Sequence, residues 1–576
     1  MSMTRREFLE GLAAAAAAGL SLGLPTSHAA ADGGALYTLP PPTGKVSLLH
    51  FTDCHAQLMP VHFREPDVNI GVGAARGHPP HVVGEAFLKR FGIARETPLA
   101  HAYTHLDFSE AARRYGKLGG FAHLATLVKR IREQRPGALL LDGGDSWQGS
   151  ATALWTRGED MIAASKLLGV EIMTGHWEFT YGAQRVQEVV TRHLAGRIEF
   201  LAQNVRTADF DDPVFAAYTM REINGVPVAI IGQAFPYTPI ANPRHFVPDW
   251  TFGIQEERLQ GVVDQARAKG AWAVVLLSHN GMDVDLKLAS RVTGIDAILG
   301  GHTHDAVPAP IAVKNAKGVT LVTNAGSNGK FLAVLDLDVQ RSGVRDFRYR
   351  LLPVFSNFLP ADREMAALIE SYRAPYKAKL EEKLAVSEAL LYRRGNFTGS
   401  FDQLILDALM YSAGAQIAFS PGFRWGTSIL PGAPITFEDV MNATAITYPY
   451  VTVTEMTGEA IKSVLEDICD NLFNPDPYYQ QGGDMVRIGG MQYTCEPRQP
   501  IGRRIGGMML GGKPIDANRR YKVASWAPVA EGASGPAIWD VMAAYLRERK
   551  VVSPRALNRP RLIGVGDDPG VSGEFS

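Results

Sequence analysis

The 576-residue sequence holds only three cysteines, Cys54, Cys469 and Cys495, and none lies in a Cys-x-x-Cys pair. That excludes a disulfide framework. Whether Cys469 and Cys495 pair with each other is left open, because spacing alone does not bring two Cα atoms within bonding range. Charge of one sign is also missing. There are 58 Lys and Arg against 59 Asp and Glu, a net charge of −1, which gives no electrostatic case for nucleic acid. There is no internal repeat, and beyond the N-terminus no apolar run reaches transmembrane length. With 46% hydrophobic and 20% charged residues, what remains is a soluble globular protein with ample core. Its length favours two domains.

The first residues read as an address. Arg5-Arg6 precede Phe8-Leu9, an Ala/Gly/Leu stretch follows, and small residues end at Ala29–Ala31. This is the pattern of a twin-arginine export signal over residues 1–31. The apolar stretch is too short and too rich in Ala and Gly for an anchor, and it stops at Pro25. The expected destination is the periplasm, with no membrane attachment after signal removal. Export by this route carries folded protein. A weakly held metal can then be inserted before copper or zinc, which bind most sites more tightly, compete for it.

Behind the signal, "KVSLLHFT", "GALLLDGGDSWQG", "GVEIMTGHWEFTYG", "AWAVVLLSHNG" and "DAILGGHTHD" each run from an apolar strand into a polar, Gly-containing loop. Amphipathic stretches such as "GGFAHLATLVKRIREQ" and "FGIQEERLQGVVDQARAKG" lie between them. Strands alternating with helices predict an α/β fold, with its site at the strand C-termini. A catalytic domain is expected over 40–358, interrupted at about 60–115 by an insertion rich in Pro, His, Gly and Arg. A charged connecting helix is expected over 359–390, a C-terminal domain over 391–563 and a tail over 564–576. Long insertions of this kind are usually functional or mobile.

Five of the loops carry metal-ligand residue types: Asp53-x-His55, Asp145, His176, His279 and His302-x-His304. One such loop is weak evidence, but five in this order, each after a strand, make coincidence a poor explanation. The arrangement resembles the calcineurin-like metallophosphatases, and within them the two-domain 5′-nucleotidase group. Along its length it most resembles the SoxB family of exported thiosulfohydrolases. The resemblance implies a four-layer αββα domain with two divalent metals, manganese in that family, and a smaller C-terminal α/β domain of 5′-nucleotidase type over the site. It also implies that Asp53, His55 and His304 hold one metal, that His176, His279 and His302 hold the other, and that Asp145 bridges them.

The loop Gly175-His176-Trp177-Glu178-Phe179-Thr180 departs from the nucleotidase pattern Gly-Asn-His-Glu-Phe-Asp. His176 takes the place of the metal-binding Asn. Trp177 and Thr180 replace the His and Asp that protonate the leaving group. An indole N–H is a donor only, so phosphomonoester hydrolysis by the usual route is expected to be crippled, whereas a sulfur leaving group needs no proton. The nucleotidases' two base-clamping rings align with Met485 and Pro528, so both rings are missing, and Trp526 is a residue that could compensate. Arg424 in "SPGFRWG" matches an anion-binding arginine of the family, with Arg487 a weaker candidate. From the insertion, Tyr103 and His105 are candidates to contact sulfonate oxygens.

The expectation is an enzyme that hydrolyses a carrier cysteine S-thiosulfonate, with His176, Trp177 and Arg424 at its catalytic site. Its partner would be a SoxYZ-type sulfur carrier, bound transiently. Residue types do not set the oligomeric state, and a monomer is expected. The rivals are an exported 5′-nucleotidase or nucleotide-sugar hydrolase, and a non-catalytic carrier-binding protein.

Overall fold

A computed structural model describes residues 33–554, 556–573 and 575, and the export signal read at 1–31 lies outside them. Two six-stranded sheets stack face to face in the catalytic domain. In the first, Val46–Phe51, Leu139–Asp142, Ile172–Met173 and Glu199–Phe200 run parallel, and Phe331–Gln340 and Gly343–Pro353 extend the edge antiparallel. In the second, Val226–Gln233, Ala273–Ser278, Ala297–Gly300 and Gly318–Asn324 run parallel between two antiparallel edge strands.

The apolar runs are continuous because both faces of each sheet are covered. Along the strand Ala273–Ser278, Ala273, Val275 and Leu277 face the other sheet. Val274 and Leu276 face the helices Glu256–Ala268 and Met282–Arg291. In the first sheet Leu48 and Leu141 point inward, and Leu49 and Leu140 pack under the helices Phe121–Gln134, Glu159–Leu168 and Arg363–Arg373. The result is the expected αββα sandwich. The second domain is a smaller α/β unit around the four-stranded sheet of Val451–Thr457, Arg520–Trp526, Ile417–Ser420 and Arg487–Gly489.

The connector differs from expectation. It is not one helix over 359–390. Asp362 caps the helix Arg363–Arg373 by accepting from the Met365 N–H at 3.0 Å. A short 3-10 turn containing Pro375 and the one-turn helix Lys377–Leu380 follow, and Lys383–Ser387 is already a strand of the second domain. Proline supplies no N–H and cannot continue a helix interior. Met365 and Ile369 are buried against the catalytic domain, so the helix belongs to that domain and is not a free spacer.

The insertion forms three short helices, Gly84–Phe91, Pro98–Tyr103 and Phe108–Tyr115. Its Phe87, Leu88 and Tyr103 enter the core between the two sheets. Its Val68 and Ile70 join a C-terminal core with Phe397, Val565 and Phe575. Buried Lys330, paired with Glu65, ties it to the strand Phe331–Gln340. The C-terminal tail then straps it down. The Asn69 and Val83 N–H groups donate to Gly570 O (2.8 Å) and Pro569 O (3.0 Å), Ser572 N–H donates to Asp67 O (2.9 Å), and Arg76 pairs with Asp567 (2.8 Å). No helix among the described residues is long and apolar enough to cross a membrane.

Deleting residues 564–576 removes these bonds and the burial of Val565, Val571 and Phe575. We expect a loss of about 3 kcal/mol, read as a lower Tm, with new tryptic cleavage in the insertion at Arg76, Arg90 or Arg95. An unchanged Tm with an uncut insertion would show that the strap carries no load.

Candidate metal centre

Each candidate loop leaves the C-terminal end of a parallel strand, three from the first sheet and two from the second. The two sheets therefore deliver their loops to one edge, as the topology of open α/β sheets requires. The loops are strained to fit. Asp53, His55, Asp145, His302 and His304 all have positive φ, between 43° and 71°. Such conformations cost about 1–3 kcal/mol each and persist only when their surroundings over-determine them. Here the Asp53 N–H donates to Gly144 O at 2.9 Å, His55 N–H to Asp145 O at 2.8 Å, and His302 N–H to the Asp53 carboxylate at 3.0 Å. Gly301 is required beside them, because a Cβ there would lie 2.4 Å from Thr52 Oγ1 and 2.9 Å from Asp53 Oδ2.

The side chains converge on Asp145. Its Oδ2 lies 3.0 Å from His279 Nε2, 3.2 Å from His176 Nδ1 and 3.7 Å from His55 Nε2. Asp53 Oδ1 lies 3.3 Å from His304 Nε2, and His55 Nε2 and His304 Nε2 face each other at 3.0 Å. Two groups result, Asp53, His55, Asp145 and His304, and Asp145, His176, His279 and His302, both fully buried. They share Asp145, which is the partition the resemblance implies. Their donor atoms lie within 4.8 Å of one another in each group.

This donor set fits divalent ions. His176 Nε2 and both nitrogens of His302 are buried without a hydrogen-bond partner. Burial, the largest effect, holds His302 and His304 well below the usual imidazole range and so neutral, as ligation requires. Burial would raise the Asp145 carboxyl, but His176 and His279 hold it well below its usual range. His279 is buried too, yet Asp145 and Asp53 push it up to about 10. His279 Nδ1 meets Gly143 O at 2.6 Å, which turns Nε2 inward.

The Glu178 carboxylate organises the loops from behind. It accepts from the N–H groups of His176 (2.8 Å), Ser146 (2.7 Å), Trp147 (3.3 Å) and Asp145 (3.3 Å). Two of these belong to ligand residues on different loops. Asp285 does the same for the His279 loop, accepting from Ser278 Oγ (2.7 Å) and Asn280 Nδ2 (3.0 Å).

A cavity of about 50 Å³ opens beside His302. Its wall includes Asn280 and His302 from the catalytic domain, His81 from the insertion, and Arg394, Arg424 and Gly482 from the C-terminal domain. At about 10–15 Å³ per water, it has room for roughly four.

Comparison with known proteins agrees with this geometry. Residues 385–543 match the family model of the 5′-nucleotidase C-terminal domain. The 5′-nucleotidase of Rattus norvegicus is 23% identical over 505 residues, covering 77% of this chain and 85% of the rat chain. The structure of a 5′-nucleotidase precursor from Thermus thermophilus shares the fold at 23% identity and TM-score 0.71, covering 90% of this chain and 99% of its own. The sulfate thiohydrolase SoxB of Thermus thermophilus is 39% identical and superposes with TM-score 0.86, covering 92% of this chain and 98% of that one. This chain belongs to the SoxB family, within the 5′-nucleotidase superfamily. It is a hydrolase of the metallophosphatase type.

The remaining candidates divide in the SoxB-type frame. Arg424 reaches the cavity, donating to Gly483 O (2.8 Å) and His302 O (3.4 Å) and pairing with Asp484 (3.3 Å). Arg487 does not. It is fully buried between Asp402 (3.2 Å) and Asp484 (3.1 Å) and donates to three main-chain carbonyls. It is a strut that fixes Asp484, and through it Arg424. Tyr103 lines a smaller cavity with His304, Asp305 and Arg394. Its hydroxyl donates to Leu351 O (2.7 Å), and its ring stacks on Phe331 and Phe87. His105 sits against Pro66 O (3.2 Å) and Ser572 Oγ (3.1 Å), holding the tail. Met485 is a core residue, and Trp526 is buried with its N–H given to Ser420 Oγ at 2.8 Å. Neither supplies a base clamp.

Trp177 is not among the residues lining the cavity. Its ring packs edge-on against Trp425 (4.8 Å) and Phe423 (5.3 Å) of the C-terminal domain, while its main-chain N–H donates to Asp145 Oδ1 at 2.7 Å. Thr180 Oγ1 donates to Trp177 O at 2.7 Å.

Several residues escaped the sequence reading. Arg394 donates to Thr303 O (2.9 Å) and lies 3.5 Å from Asp484 and 3.8 Å from Asp305. Its signal was a pair of arginines in the otherwise apolar stretch "ALLYRRGNFTG". Phe235 stacks on His302 at 4.1 Å, and Trp425 stacks on His55 at 5.3 Å.

Glu178→Gln places an NH₂ group against the main-chain donors. We expect metal affinity to fall about 10–100-fold with a clear drop in Tm. Metal content after dialysis and differential scanning calorimetry check both, and full occupancy in the variant would refute the organising role.

Proposed function

We propose that the protein is a periplasmic thiosulfohydrolase. It would remove the terminal sulfonate of a carrier-protein cysteine S-thiosulfonate and release sulfate. The observation that carries this reading is the loss of a proton donor at the leaving-group side. Trp177 has turned into the domain interface, and the Thr180 hydroxyl is committed to Trp177 O. The other imidazole in the cavity wall besides His302 is no substitute. His81 faces Asn69 Oδ1 (3.0 Å) and Asp283 (2.8 Å) with its two nitrogens.

In the reaction R–S–S–SO₃⁻ + H₂O → R–S–S⁻ + SO₄²⁻ + 2H⁺, the leaving persulfide is a far weaker base than an alkoxide. It departs without the general-acid help worth about 10²–10⁴-fold to other substrates. Two divalent ions, manganese in our reading, would acidify the attacking water and polarise the sulfonate oxygens. Arg394 and Arg424 offer fork-shaped donors to a tetrahedral oxyanion, and Asp305 and Asp484 fix their orientation. A cavity of about 50 Å³ suits such a group and is small beside the ~300–1,000 Å³ of a drug-sized ligand site. The similarity to a protein named sulfate thiohydrolase supports the same reading.

The substrate is carried on a mobile arm of a SoxYZ-type partner, which enters the interdomain cleft transiently. The enzyme acts as a monomer and reaches the periplasm folded, by the twin-arginine route.

Manganese-loaded protein should release sulfate from carrier cysteine S-thiosulfonate and no phosphate from AMP. Phosphate release without sulfate release would overturn the proposal. Arg394→Lys keeps the charge but loses the fork, and should lower kcat/KM on the carrier by about 10²-fold with metal content unchanged. Equal kcat/KM would remove Arg394 from substrate binding.

A further inference from the structure

Cys469 and Cys495 belong to neither metal-ligand group, and the proposed reaction does not use them. Cys469 is on the helix Gly458–Phe473, and Cys495 ends the strand Met491–Cys495. They are 26 positions apart in sequence, yet their Sγ atoms are 3.6 Å apart. Both are fully buried among Ile461, Leu465, Phe473, Tyr493 and Ile505. Neither joins a metal-binding group among the described residues. Contact with Cys469, with burial, pushes the Cys495 thiol up. The folded Cys495 thiol is therefore a poor nucleophile.

The geometry needs little change to become a covalent bond. A disulfide has S–S about 2.05 Å, so the sulfurs must close by about 1.5 Å. We propose that Cys469 and Cys495 are oxidised to a disulfide in the mature protein. Two S–H bonds are lost and one S–S bond forms. The two electrons and two protons pass to an oxidant of the disulfide class, which is reduced to two thiols. A thiolate of one cysteine attacks the oxidant during folding or local opening, and the other cysteine resolves the mixed disulfide.

The bridge would join two parts of the molecule that matter elsewhere. Cys469 lies two positions before Asn471, which lines the cavity together with Leu472. Cys495 pairs across to Leu562, and the Ile563 N–H donates to Cys495 O at 2.9 Å. From Ile563 the chain runs directly into the tail that straps the insertion. A disulfide here fixes the root of the strap to the helix that forms the cavity wall.

The test uses the full chain, purified without reductant, incubated in a buffer of oxidised and reduced glutathione, then denatured and alkylated. One alkylated cysteine, Cys54, and a linked 469–495 peptide two mass units below the sum of its thiol forms are expected. Three alkylated cysteines would overturn the proposal. The oxidised protein should also melt roughly 5 °C or more above the reduced protein, a difference absent from the C469S/C495S variant. A bridge that forms without any such shift would overturn the stapling role. Where that variant fails to fold, the intact mass and the reductant-dependent Tm of the unmodified protein decide alone. Neither readout depends on the proposed reaction.

Discussion

Five imidazoles and two carboxylates cannot be buried together without positive charge among them. That constraint explains the shape of the catalytic domain better than any single strand does. Asp145 is the point where it is sharpest, with three imidazole nitrogens within 3.7 Å of one oxygen. Two stacked sheets, each ending in short loops at the same edge, supply enough independent approaches to place seven donors around so small a volume. The strained backbone at five of those donors follows from the same crowding. Glu178 and Asp285 make it tolerable by holding loops together through hydrogen bonds that need no further positive charge nearby.

Much of this was legible in the sequence because the ligands announce themselves locally. Asp53, Asp145, His176, His279 and His302 each follow an apolar run by a few residues, so strand and ligand are read in one window. The surroundings of Tyr103, His105 and Arg487 have the opposite property. Tyr103 is satisfied by Leu351, 248 positions away, and His105 by Ser572, 467 positions away. Arg487 looks like a free cation until Asp402 is folded against it. A polar side chain near a site is indistinguishable from one aimed at it when its true partner lies hundreds of residues distant. The connector misled for a different reason: its residues favour helix, but Pro375 and tertiary packing decide where the helix stops.

Position 177 joins the two domains in more than a chemical sense. Where the nucleotidase pattern has a proton donor, this chain has a large apolar ring that reaches Phe423 and Trp425, flanking Arg424 in sequence. The same loop that holds Asp145 by its main chain thus contacts the loop that presents a guanidinium to the cavity. The metal-ligand loop and the loop that carries Arg424 are placed relative to each other by aromatic packing.

The tail strap bears on the order of assembly. The stretch that carries Asn69 and His81 into the cavity wall is held by main-chain bonds to Pro569 and Gly570, about five hundred positions later in the chain. Contacts of such sequence separation form late, because loop closure must precede them. The metal-binding edge of the sandwich draws its ligands from residues 53–304 and can take shape from the first domain alone. The pocket beside it cannot, since its outer wall waits on the opposite end of the sequence. The pocket wall therefore depends on contacts of far greater sequence separation than the metal-ligand cluster does.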